Sequence, residues 1–436
     1  MQTIKTVYIS NISEDVWEFI TSLDPNTMSN EIEENTFLSD RAIFTLPDSS
    51  VFIAAKSISP QYKDYITSLI HLDDFHVIIP QNADGQLSLD LTNDLPLIKT
   101  LSQFGQINLT AYSSTSQLYQ LHQKLIQSGL TVNLPLSPQP QHQDTVDNFG
   151  SKSGIRRLVE SLKDPDIFMA PGQIFDSKAT ALKYASEKLN QSEGVVIKTN
   201  RGHAGMGVIV LPPGSSIPKT FETDAYWDKF PIVVEKYIDV DPSIGGGFPN
   251  LEYLIDASGR VQLLYSCGMS MSSPGVFSGV EIGFGALPSV VLDKMIKIGQ
   301  KIGQKYSNSG YCGYFDIDFA AGKDGKLYIT ESNLRQTGGS HVYHLAQRLF
   351  GQDFDQKTYI ISDNTFSLPP SNWTFSSISQ LFQPILYNPD TKEGIVIVSE
   401  NMLSRNQLSY VAFAPDRSKT LNLISSMAQL ISKVTL

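Results

Sequence analysis

Residues 314–334 read YFDIDFAAGKDGKLYITESNL. The run FDIDF alternates, so Asp316 and Asp318 share one face of a strand while Phe315, Ile317 and Phe319 share the other. GKDGK supplies a hairpin turn, and KLYITESN is the return strand. A turn centred between Asp324 and Gly325 sets Asp318 directly opposite Glu331, and Asp316 opposite Asn333. Like charges directly opposite destabilise a sheet. The arrangement makes sense with a hard cation between them, and Asp318, Glu331 and Asn333 are the kind of oxygen set Mg²⁺ takes alongside substrate phosphates. A solvated acidic face and a register slipped by one residue are the alternatives.

Upstream, residues 194–211 read GVVIKTNRGHAGMGVIVL, a glycine-rich loop between two β-branched apolar runs. A P-loop would need Lys-Ser/Thr after the glycines and a helix to follow. A dinucleotide turn would also lead into a helix. Here VIVL follows, so the expectation is an antiparallel hairpin whose tip can fold over phosphates. Lys198 lies before the loop, unlike the lysine of protein kinases, and the backbone N–H groups of Gly202, Gly205 and Gly207 can approach an anion closely. A glycine hairpin over nothing is the bland alternative.

Other segments extend the pattern. PIVVEKYIDVD, 231–241, is an apolar strand whose end can present backbone groups to an adenine edge, with Asp241 near ribose hydroxyls; its bland reading is an ordinary strand end. After Asn333 comes Arg335, facing the same way if the strand persists. Gly338-Gly339 then breaks the strand before a helix in SHVYHLAQRLF, whose N-terminus would favour an anion. His203 and His341 are candidates for bases or phosphate contacts, against the plainer reading of solvated loop histidines.

The first 145 or so residues alternate strands (TVYIS, SVFIAAKS, HVIIP, QINLTAYS) with helices (VWEFITSL, YKDYITSLI, TSQLYQLHQKLIQSGL), which implies an open parallel sheet. No GxGxxG stands at any strand-to-helix turn, so a dinucleotide site is unsupported. NLPLSPQPQHQDT, 133–145, reads as a linker. A second block runs to about residue 350. The third, 351–436, holds strands in GIVIVSENML and LSYVAFAP and a closing helix. SIGGGFPN (243–250) and GMSMSSPGVFSGVEIG (268–283) read as adaptable loops shaping a substrate pocket. A net charge of −11 argues against a nucleic-acid binder. Two cysteines in no metal or redox spacing, no signal-peptide pattern and no long apolar run lead to the expectation of a cytoplasmic protein without a membrane span.

The order of Lys198, glycine hairpin, VVEKYI, DIDF, and ESN with Arg335 resembles the ATP-grasp superfamily, over about residues 149–350. The resemblance implies an α/β, Rossmann-like pre-ATP-grasp domain (1–145), an α+β ATP-grasp fold (146–350; glycine-loop lobe about 172–240, metal-site lobe about 241–350), and a small C-terminal α+β segment (351–436). It implies ATP held by Lys152 of FGSKSGIRRLVE, Lys198, Arg201, Gly202, Gly205, Gly207, Glu235, Lys236, Ile238 and Asp241, and Mg²⁺ held by Asp318, Glu331 and Asn333. Lys198 and Arg335 would carry catalysis. FGSKSGIRRLVE, the N-terminal sheet and the tail with GIVIVSENM also look like the pheganomycin-type peptide ligases, although Asp316 stands where related amino-acid ligases often carry Arg. The implied reaction joins a small-molecule carboxylate to an amine, on amino acids or peptides, through an acylphosphate. Oligomerisation stays open. Rivals are a phosphotransferase on the same fold and a nucleotide-binding partner protein without turnover.

Overall fold

The computed structural model describes residues 4–203, 205–273 and 275–434. The N-terminal region is an open parallel sheet in the order β3-β2-β1-β4-β5. Its strands are β1 (Lys5–Ile9), β2 (Ser50–Ile53), β3 (His76–Ile78), β4 (Gln106–Ala111) and β5 (Thr131–Asn133). The apolar runs seen in the sequence are these strands: Val7, Ile9, Val51, Ile53, Ile107 and Leu109 are buried together with helix residues Leu118, Leu121 and Leu125. That helix, Ser116–Gln127, starts where the Thr115 side chain accepts from the Leu118 N–H, and the chain then leaves through Gly129 at φ +94°. The chain order reverses between β1 and β4, so a crevice opens beyond their carboxyl ends, the place where open α/β sheets bind ligands. Helix Pro25–Leu38 was not expected from the sequence; it is mostly polar and packs with few apolar contacts.

Next come β6 (Phe168–Met169), β7 (Gly172–Phe175), β8 (Val195–His203), β9 (Met206–Leu211) and β10 (Ile232–Lys236). Strands β7-β10-β8-β9 form a four-stranded sheet. The glycine-rich segment is the antiparallel β8–β9 hairpin the sequence implies, with Gly205 and Gly207 at positive φ; Ala204 at its tip lies outside the described residues.

The remaining strands are β11 (Pro249–Ile255), β12 (Val261–Ser273), β13 (Val276–Ile282), β14 (Gly313–Ala321), β15 (Leu327–Glu331), β16 (Tyr359–Ser367), β17 (Gly394–Ser399) and β18 (Gln407–Ala414). They build a nine-stranded sheet in the order β17-β18-β16-β13-β12-β11-β14-β15-β6. The C-terminal segment therefore has no sheet of its own. Its strands extend the sheet that holds β14 and β15, and their residues Val396, Tyr410 and Phe413 share one apolar core with Tyr265 of β12 and Tyr62 of the N-terminal region. Residues 268–283, expected as a loop, are instead most of the β12–β13 hairpin, because the small Ser and Gly residues alternate with Met, Val and Phe at strand period; Pro274 lies outside the described residues.

The β14–β15 hairpin pairs Asp318 with Glu331 as expected, by a different route. The turn is centred on Asp324, not between Asp324 and Gly325: Gly322 N–H donates to the Lys326 carbonyl (2.9 Å), and Gly325 takes φ +79° to close a three-residue loop. From there the ladder runs Ala321↔Leu327, Ala320↔Tyr328, Phe319↔Ile329. A β-bulge before Asp318 leaves Thr330 as an extra residue and brings Glu331 opposite Asp318.

Candidate active site

Asp318 and Glu331 end the hairpin at the edge of a cluster of opposite charges. Helix Lys152–Leu162 is capped by Ser151, whose hydroxyl accepts from Gly154 N–H. It lies so close to the preceding turn that a Cβ on Gly154 would stand 1.5 Å from the Asn148 carbonyl. This places Lys152 at the first helical position, buried, where its Nζ donates to Glu331 Oε1 (2.9 Å). Lys198, on β8, donates to the carbonyl of the bulged Thr330 (3.0 Å) and pairs with Glu235 Oε2 (2.6 Å). Glu235 Oε1 also accepts from Arg156 (2.7 Å), so its buried carboxylate holds two cations. Lys152 and Lys198 thus reach adjacent positions on one strand end.

On the other flank, Asn250 Nδ2 donates to Asp318 Oδ1 (2.6 Å) and to Asp316 Oδ2 (3.2 Å). Asn333 N–H donates to Asp316 Oδ1 (2.7 Å), and Arg335 donates to Asn333 Oδ1 (3.0 Å). The strand-like alternation continues past Glu331: Glu331, Asn333 and Arg335 are half-buried while Ser332, Leu334 and Gln336 are buried, so Arg335 does face the way of Asn333. Burial and the charges of Asp316 and Glu331 push the Asp318 carboxyl well above its usual range. Burial acts on Glu331 in the same sense, but Lys152, Lys198 and Arg335 outweigh it and hold that carboxyl low.

The N-terminal region closes the site from above. Arg335 forms a backbone bridge with Ser113, just beyond β4, and Gln336 N–H donates to the Tyr112 carbonyl (3.0 Å). The Arg335 guanidinium donates to Asp15 Oδ2 (3.0 Å) and to the Tyr112 hydroxyl (3.2 Å). Arg201 takes the other oxygen of Asp15 (3.4 Å), the Val146 carbonyl (3.2 Å) and Asp147 (3.2 Å). Arg201 is therefore turned to the N-terminal region rather than gathered with the lysines. Gly202, Gly205 and Gly207 lie in the β8–β9 hairpin, whose tip meets the β12–β13 hairpin: a Cβ on Gly205 would be 2.6 Å from Val276 Cγ2. Glu235 has its side chain in the charge cluster, Lys236 projects to solvent and Ile238 is half-buried. Asp241 accepts from its own neighbour Ser243.

The helix after Gly338-Gly339 is Ser340–Phe350. Its opening is occupied by a protein side chain: the buried Glu252 carboxyl, pushed up by burial, accepts from Ser340 Oγ and Thr337 Oγ1, each at 2.5 Å, and from the Tyr265 hydroxyl (2.9 Å). His203 stands 3.4 Å from Glu31, and burial pushes its pKa down to about 4. Sequence reasoning missed Asp15, Tyr112, Asn250 and Glu252. Only the alternation Asn250–Glu252 on an apolar strand was visible as a signal.

No protein-family model matches this chain, and no curated protein matches it. Its structure, by contrast, is shared widely: the chain has the fold of the ATP-grasp superfamily. Carboxyaminoimidazole ribonucleotide synthase of Aspergillus clavatus, solved with ATP, superposes with a TM-score of 0.56 at 12% identity, covering 99% of each chain. Biotin carboxylase of Campylobacter jejuni, solved with an ATP analogue, gives 0.55 at 14% identity over 96% of this chain and 90% of that one. The biotin carboxylase domain of Hydrogenobacter thermophilus 2-oxoglutarate carboxylase, solved with MgADP and bicarbonate, gives 0.51 at 13% identity over 95% and 87%. Identities this low establish the fold alone. Among the described residues no helix is long and apolar enough to cross a membrane.

Proposed function

We propose that this chain is an ATP-dependent carboxylate–amine ligase of the cytoplasm, making an amide or peptide bond on amino acids or small peptides, as the likeness to pheganomycin-type ligases suggests. The observation that carries the reading is the pairing of Asp318 with Glu331 beside two buried lysines, Lys152 on Glu331 and Lys198 on the Thr330 carbonyl.

The residues fit Mg²⁺ brought in with a nucleotide. Among the described residues no three His, Cys, Asp or Glu side chains gather into a metal cage. Mg²⁺ takes one or two carboxylates plus substrate phosphates, and Asp318 Oδ2 and Glu331 Oε2 are not used in the hydrogen bonds above. Asp318, Glu331 and Asn333 would hold it, and bound there it would offset charge on the β- and γ-phosphates.

Lys152, held by Glu331, and Lys198, held by the Thr330 carbonyl and Glu235, bind phosphate oxygens as charge-assisted donors. The glycine hairpin supplies backbone N–H groups above them. A substrate carboxylate oxygen attacks the γ-phosphorus and ADP leaves, giving an acylphosphate. Arg335, held by Asp15, Tyr112 and Asn333, stabilises that mixed anhydride and the tetrahedral species formed when an amine adds to the acyl carbon. Phosphate departs with the pair of electrons from the acyl carbon–oxygen bond, and the amine loses a proton. The β8–β9 and β12–β13 hairpins, which approach each other at Gly205 and Val276, would exclude water from the acylphosphate.

The test is product analysis with ATP, Mg²⁺ and pooled amino acids and small peptides, beside Glu331→Ala. ADP, phosphate and a condensed mass that disappear in the variant are expected. AMP with pyrophosphate, or ADP with a phosphorylated product, would replace the reading by an adenylating enzyme or a kinase.

A further inference from the structure

Arg41 is buried, 8% exposed, and among the described residues no carboxylate oxygen lies within 4 Å of its guanidinium. Among the described residues its one hydrogen bond runs from Nε to the Leu38 carbonyl (3.0 Å). The adjacent Asp40 turns away, accepting from the N–H groups of Glu400 and Asn401 (2.9 and 3.0 Å). Buried arginines are ordinarily paired, because an uncompensated charge in a dry site costs several kcal/mol. The guanidinium lines a small cavity of about 20 Å³.

His341 lines the same cavity. It is 3% exposed, and its Nε2 has no hydrogen-bond partner. Burial and the charge of Arg41 hold the ring neutral. The remaining wall includes Ile12, beyond the carboxyl end of β1, and Tyr112, beyond that of β4. The cavity therefore opens at the reversal point of the parallel sheet, where such folds bind ligands. The Tyr112 hydroxyl accepts from Arg335, which ties the cavity to the proposed catalytic residue.

We infer that this cavity takes a non-reacting carboxylate of the substrate, gripped by the Arg41 guanidinium and His341 Nε2 between the N-terminal region and the metal-site sheet. The inference rests on the ligase reading for the word substrate. It narrows the substrates to molecules with a free carboxylate besides the groups being joined, as an amino acid or peptide has. Three features select a carboxylate. The planar fork of Arg41 matches its two oxygens. Among the described residues the Arg41 guanidinium has no contact carboxylate, and Asp40 and Glu34 act on it only from beyond ion-pair distance, so one added negative charge is accommodated more readily than the two of a phosphate dianion. The volume admits a terminal group of about one or two water-sized parts and no more.

The test needs no turnover. The full chain is titrated with sodium acetate, acetamide and inorganic phosphate at constant ionic strength, following thermal stability, and crystals are soaked in acetate. Acetate is expected to stabilise the protein and to lie between Arg41 and His341. Acetamide and phosphate should bind at least about tenfold more weakly. Arg41→Lys keeps the charge but loses the fork, and should weaken acetate about tenfold; His341→Asn should weaken it less. Equal binding of acetate and acetamide, tighter binding of phosphate, unchanged affinity in Arg41→Lys, or no acetate at the cavity would each overturn the inference. The wild-type comparison stands even where a variant does not fold. ADP release lost in Glu331→Ala together with an empty cavity would reject this site and leave the ligase standing; acetate bound without any ADP release would do the reverse.

Discussion

Asp318 faces Glu331 across the β14–β15 ladder because Thr330 bulges out of it. The same bulge presents the Thr330 carbonyl to Lys198. One extra residue thus sets two carboxylates opposite each other and turns a main-chain acceptor toward a lysine. The opposition is unfavourable for the protein by itself, since burial and the charges of Asp316 and Glu331 raise the Asp318 carboxyl well above its usual range. Asp318→Asn should therefore raise the melting temperature of the metal-free protein, by about 1 kcal/mol in stability. The same change should lower Mg²⁺-dependent ADP release about a hundredfold. Calorimetry in chelator and a coupled ADP assay measure the two effects, and a melting temperature that falls would contradict the account.

Asp15 joins Arg201 of the glycine hairpin to Arg335, just past β15. Burial pushes its carboxyl up, but the two guanidinium groups outweigh that and leave it below the usual value. Its folded pKa is depressed, so the stability it contributes is present above its unfolded pKa of about 3.9 and is lost as pH falls below that toward the folded value. Asp15→Asn should cost about 3 kcal/mol near pH 7, with the gap from wild type closing in strong acid. It should lower kcat more than it raises KM for ATP, because Arg335 loses its tether. Urea melts across pH and steady-state kinetics test both parts.

Gly207 and Gly325 take nearly the same left-handed backbone, φ +78° and +79°, in very different surroundings. A Cβ on Gly207 would come 2.3 Å from Thr199 Oγ1, whereas one on Gly325 meets nothing within 4 Å. Gly325→Ala should cost about 1–2 kcal/mol, the backbone term alone. Gly207→Ala should cost more, about 2–4 kcal/mol, and should weaken nucleotide binding, since Thr199 Oγ1 ties the hairpin by donating to the Arg201 carbonyl (2.6 Å). Equal losses in the two variants would show that the hairpin tip tolerates displacement.

Asp40 is buried, and burial pushes its carboxyl up to about 7 against the hydrogen bonds that favour its charge. The folded state thus binds a proton that the unfolded chain releases from about pH 4 upward. This contribution to stability is greatest in acid and declines as pH rises toward 7. Asp40→Asn keeps an oxygen for the Glu400 and Asn401 N–H groups and removes the titration. Relative to wild type, the variant should gain on the order of 4 kcal/mol between pH 4 and pH 8. A difference that stays constant with pH would reject the burial of this charge as the cause.

Much of the candidate site is legible in the chain because it is local. The alternation of FDIDF sends Phe315, Ile317 and Phe319 into the core, all fully buried, and turns Asp316 and Asp318 the other way. Glycines followed by VIVL imply a hairpin, and β8–β9 is one. Even here the expected turn centre was off by half a residue, and the bulge at Thr330 offset it. Bulges have no signature in an apolar run.

What the sequence by itself determined is periodicity and turn chemistry, which act over a few residues: the parallel N-terminal strands, the glycine hairpin, and the carboxylates opposed across one turn. Tertiary structure alone decided what meets across the chain. Asp15 and Arg335 are 320 positions apart, and Tyr8 donates to Gln336 across 328. The C-terminal strands join the sheet that holds β14 and β15, and Arg41 comes to line one cavity with His341. Such contacts follow from how whole apolar faces are buried together, and no short stretch of residues carries that information.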